Sequence, residues 1–147
     1  MRILFISLML LCAAAPAKAN QELTNYFFAA AKTGQTEVLN EFLEKGFPIN
    51  LRNSQSYTAL MMATYHGQKE AVDILLHHGA DTCLKDKRGH TAMMAAVVKA
   101  EWTIARILYK KDCHLAHSTE KTLEEFARVF GQTEKLKALK TEKQMPE

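Results

Sequence analysis

The sequence predicts an all-α solenoid of about four stacked helix–turn–helix units, and three observations point there. The stretch TALMMATYHGQKEAVDILLHHGAD at 58–81 returns as TAMMAAVVKAEWTIARILYKKDC from Thr91, 33 residues later. Gly34, Gly67 and the site of Ala100 keep that spacing, with Ala30-Ala31, Ala63-Thr64 and Ala96-Val97 ahead of them. Behind each comes a longer pattern with apolar residues at i, i+3 and i+4: EVLNEFLEKG (37–46), EAVDILLHHG (70–79) and TIARILYKKD (103–112).

Taken in chain order, residues 1–19 stand apart. Met1-Arg2 gives a short positive start, Ile3 to Ala15 is an almost wholly apolar run of 13 residues, and Pro16 is expected to break it. Ala17-Lys18-Ala19 then offers small residues around a cleavage point before Asn20, the layout of a secretory signal peptide. A run of that length is too short to cross a bilayer core of ~30 Å as a helix. Residues 20–143 form the repeat domain, in units of about 20–52, 53–85, 86–116 and 117–143, and 144–147 form a tail. Thr58 and Thr91 sit one period apart, where a hydroxyl can cap a helix start. Gly46 and Gly79 follow the second helices, where a left-handed residue ends a helix.

A two-helix unit of this period resembles the ankyrin repeat, and TALMMATYHG, EAVDILLHHGAD and DKRGHTAMMAA carry the resemblance. It implies an ankyrin-repeat solenoid with hairpin loops between units and atypical caps at both ends. The first unit has Asn25 in place of the threonine and begins Tyr26-Phe27-Phe28; the fourth, KTLEEFARVFGQTEKLKAL, comes two residues early. The third unit departs from the family pattern with Ala100, Asp112 and Cys113 where Gly, Gly and Ala are preferred. Register puts Leu60, Met93 and Phe27 at one repeat position and Met61, Met94 and Phe28 at the next, so the methionines are expected in the core.

Composition narrows the function classes. Apolar content of 48% with 24% charge describes a folded chain. Loss of residues 1–19 lowers the basic count from 19 to 17 against 16 acids, leaving no global field for nucleic acid. There is no nucleophile elbow, HExxH or Gly-rich phosphate loop, so no enzyme, metal or cofactor is expected. Cys113, His114 and His117 are metal-capable and close in sequence, but read better as junction residues, and His77-His78 as solvated side chains. Cys83 and Cys113 are open to two readings: a disulfide in an oxidising compartment, or two separate buried thiols, since repeat register offsets them by three residues.

The resemblance implies that a protein partner binds across the hairpin tips and the exposed side of the first helices. Those positions are Ser54, Gln55, Tyr57, Tyr65 and His66 in the second unit, and Lys87, Arg88, His90, Val98 and Lys99 in the third. The caps add Lys32, Thr33, Val129 and Phe130. Tyr57, Tyr65 and Phe130 stand where packing is not expected to need them, as interface anchors do. Lys85, Lys87, Arg88 and Lys99 suit an acidic contact surface. The expectation is a monomeric, non-enzymatic interaction protein, periplasmic or secreted, of the kind that neutralises a toxin as an immunity protein. Its alternatives are an accessory protein for a periplasmic stress-defence enzyme and a metal- or haem-handling protein.

Overall fold

The computed structural model describes residues 15–111, 113 and 117–144. Eight helices follow in order within them: α1 Ala15–Thr33, α2 Thr36–Glu44, α3 Ala59–Tyr65, α4 Lys69–His77, α5 Ala92–Lys99, α6 Trp102–Lys110, α7 His117–Val129 and α8 Thr133–Gln144. The first helices of the units pack in sequence, α1 on α3, α3 on α5 and α5 on α7, while α2 packs on α4 and α4 on α6. Two rows of helices result, with no strand among the described residues. The expected signal peptide falls for the most part outside the described residues, as does the end of the tail. Pro16 lies within α1, in the described range Ala15–Thr33. The backbone of α1 then continues through the Ala19–Asn20 bond.

Local sequence explains the helix boundaries. Thr58 and Thr91 hold extended backbones, and their hydroxyls accept from the N–H of Met61 (3.2 Å) and Met94 (3.4 Å). Each such cap contributes about 1 kcal/mol. Left-handed Gly46 and Gly79 close α2 and α4, letting Phe47 N–H reach the Phe42 carbonyl (3.0 Å) and Ala80 N–H the Leu75 carbonyl (2.9 Å).

The turn inside each unit uses one geometry four times. The N–H of Gln35, Gln68, Glu101 and Gln132 returns to the carbonyl of Ala30, Ala63, Ala96 and Ala127. That requires a left-handed residue in between. Gly67 meets it without cost, and a β-carbon there would sit 2.6 Å from Glu101 Oε1. Ala100 meets it at φ 56°, so the third unit keeps the family geometry despite its missing glycine. A left-handed alanine costs roughly 1–2 kcal/mol, partly offset because glycine has more freedom to lose on folding. Ala100→Gly is therefore expected to raise unfolding stability by about 1 kcal/mol in urea titrations; a lowered midpoint would contradict the strain.

The core shows why the ends differ. Phe27 and Leu60 are buried and Met93 is half-buried at one repeat position; Phe28, Met61 and Met94 are buried at the next. In the last unit those positions carry Glu124 and Glu125, both exposed, because no further unit stacks on them. Leu123, Ala127, Leu136 and Leu139 stay apolar and are buried in the same core cluster. Met61 and Met94 are core residues, and Met62 and Met93 pack against the core.

Candidate binding groove

The hairpins at 45–57 and 78–90 are braced from within. Asn53 Oδ1 accepts the N–H of Gln55 (2.9 Å) and Tyr57 (3.0 Å). One period later, Asp86 Oδ1 accepts the N–H of Arg88 (2.8 Å) and His90 (2.9 Å). Lys87 N–H donates to the Gln55 carbonyl at 3.3 Å, linking the two tips. Short asparagine and aspartate side chains that bond two and four residues ahead preset the turn. The tips are thus ordered before any partner arrives.

Between the second hairpin and α3, α5 and α7 lies an open groove of about 450 Å³. Met62, Ala95, Val98, Phe126 and Phe130 give it apolar walls, and Tyr57, Tyr65, His66, Arg88 and His90 add aromatic and basic groups. Rings run along one side: His90 stands 4.9 Å from Phe126, and Phe126 5.1 Å from Phe130. Tyr65 is 47% exposed and Phe130 44%, a large apolar outlay for a surface with no function. Lys99 Nζ lies 4.9 Å from the Tyr65 ring centroid, within cation–π range.

The charge is one-sided. Asp86 is the single acid lining the groove among the described residues; its side chain is 5% exposed, its Oδ1 is taken by backbone donors, and its Oδ2 is 3.4 Å from His90 Nδ1. The Arg88 guanidinium has no carboxylate partner among the described residues; only its backbone N–H reaches Asp86. Desolvation, then the charges of Lys32 and Lys99, hold the His66 imidazole below its ordinary value.

Of the residues singled out in the sequence, Tyr57, Tyr65, His66, Arg88, His90, Val98 and Phe130 line this groove. Ser54, Gln55 and Lys87 are exposed on the hairpin tips instead, and Lys99 sits beside the groove on Tyr65. Tyr57 is half-buried against the core, so packing does use it, contrary to expectation. His90 is likewise partly structural, through Asp86 and Phe126. Phe126, Met62 and Asp86 were not singled out. Phe126 and Phe130 form an i, i+4 pair in EEFARVF, which was the available signal.

Cys83 and Cys113 are joined, with Sγ atoms 2.07 Å and Cα atoms 5.4 Å apart. The bridge ties the second hairpin to the chain leaving α6. Of the metal-capable run, His114 lies outside the described residues, and no group of three or more His, Cys, Asp or Glu gathers among the described ones. His77 is exposed, but His78 is half-buried, with Nε2 3.3 Å from Asn40 Oδ1 in the preceding unit. A second hollow, of about 760 Å³, lies at the other end of the stack, between Leu23, Tyr26, Phe42 and Phe47.

A rigid helical stack with an apolar, basic groove and ordered loop tips defines a protein of the binding-scaffold class. The family profile for ankyrin repeats (three copies) matches residues 6–86 and 27–119. An ankyrin repeat protein of Pseudomonas aeruginosa is 39% identical over 46 residues, which is 31% of this chain and 27% of that protein. The match therefore spans about a quarter of that relative's length. The chain belongs to the ankyrin repeat family, and its repeats make it a protein–protein interaction module. No described helix is long and apolar enough to cross a membrane.

Proposed function

We propose that this chain is an exported binding protein, periplasmic or secreted, that captures one protein partner through the groove and the neighbouring hairpin tips. In this reading it acts without catalysis, as a monomer, and serves as the inhibitor or immunity protein of a toxin. The supporting observation is the groove itself: apolar walls under a rim where, among the described residues, the Arg88 guanidinium has no carboxylate partner and Asp86 is held by backbone N–H groups and His90. A preorganised surface of that kind loses little entropy on docking and favours a partner with an acidic contact surface.

The test expresses the full chain with a C-terminal tag and recovers it from the exported fraction. Intact mass reports whether residues 1–19 have been removed. Partner capture by wild type is then compared with Tyr65→Ala/Arg88→Glu. The expected result is a stoichiometric, salt-sensitive partner retained by wild type and lost from the double variant, with helical content unchanged. Equal retention by both would move the binding surface elsewhere.

A further inference from the structure

The groove is more specific than a basic, apolar face, and this inference rests on the reading of that face as the binding surface. We propose that it is an anchor site for one aromatic side chain of a protein segment in which that residue is flanked by Asp or Glu.

Three features carry the assignment. The first is shape. A volume of about 450 Å³ lies within the ~300–1,000 Å³ of ligand pockets, and the groove is open, so a ring can enter while the chain continues on either side. The second is the wall. Phe126 and Phe130 are tilted by 48° to one another, and His90 and Phe126 by 56°. Such ring faces and edges favour an entering aromatic in offset or edge-to-face contact, and Met62 adds a polarisable sulfur. The third is the rim. Arg88 can fork two N–H bonds onto a carboxylate, while Lys99 and Lys32 raise the positive potential around His66. Asp86 does not oppose this, because its carboxylate is bound to backbone N–H groups and His90.

The position of the site in the stack favours a protein segment over a free aromatic acid. The groove adjoins the braced hairpin tips, where exposed Lys87 and Gln55 extend the polar rim along a path that a small molecule would leave unused.

The experiment is a two-dimensional 15N–1H NMR titration of the protein with acetylated five-residue peptide amides. One has tryptophan between two pairs of acidic residues, the second replaces tryptophan by alanine, and the third flanks tryptophan with lysines; indole-3-propionate is the small-molecule control. The expected result is saturable shifts at the amides of Arg88, Val98 and Phe130 with the acidic tryptophan peptide. The alanine and lysine peptides and the control should bind at least tenfold more weakly. Arg88→Glu should weaken the acidic tryptophan peptide at least tenfold. Val98→Trp, which fills the groove, should do the same, and the spectra themselves report whether each variant is folded. No saturable shift at these amides, equal binding of the alanine or lysine peptide, or equal binding of indole-3-propionate would overturn the assignment. If that happens while Tyr65→Ala/Arg88→Glu still abolishes partner capture, the binding surface stands and only the anchor is lost.

Discussion

Phe27→Ala is expected to cost about 3–5 kcal/mol of unfolding stability, among the largest effects of any single truncation in this chain. Phe27 is fully buried, with ring centroids of Phe47, Phe42 and Phe28 at 4.8, 5.5 and 6.1 Å. It shares one buried cluster with Leu60 of the next unit, so its removal leaves a cavity that neighbouring helices cannot collapse into without unstacking. In a solenoid each unit is stabilised by its neighbours, so the loss is local at first. Hydrogen exchange should rise in α1 and α2 before it rises in α5 and α7. A variant that lost protection uniformly would show that the stack unfolds as one block.

Removing the Cys83–Cys113 bridge is expected to cost about 3–4 kcal/mol, from the unfolded-chain entropy of a closed loop of this length. The sequence separation is 30. The third unit carries Asp112 where Gly46 and Gly79 close α2 and α4, and the bridge ties its exit to the preceding hairpin. Reduced protein, or Cys83→Ala, should therefore melt lower than the oxidised form. Its loss of protection should centre on α6 and α7. An unchanged melting temperature on reduction, with thiol titration showing that the bridge was present, would contradict that role.

Much of this architecture is legible in the sequence because the repeat writes it twice. Thr58 and Thr91 announce two helix starts, and the shared register of Phe27, Leu60 and Met93 locates the core before any coordinates. What register cannot supply is depth. It groups Tyr57 with the exposed tip residues, yet the ring lies half-buried on the core, and it groups Lys87 with Arg88 although only Arg88 lines the groove. Phe126 was hidden for another reason. The fourth unit comes two residues early and carries glutamates at core positions, so it reads as a cap, while the same helix supplies the far wall of the groove. The cysteine pair shows the limit of repeat arithmetic: register offsets the two by three residues, yet their Cα atoms lie 5.4 Å apart.

In the proposed function, the groove and its hairpin tips are the surface that meets the partner. The most direct test is hydrogen-exchange mass spectrometry of the captured complex against the free protein. The account predicts new protection over 54–66, 87–99 and 126–130, with α2 and α4 unchanged. Protection confined to the outer helices, or to the hollow around Leu23 and Tyr26, would contradict it.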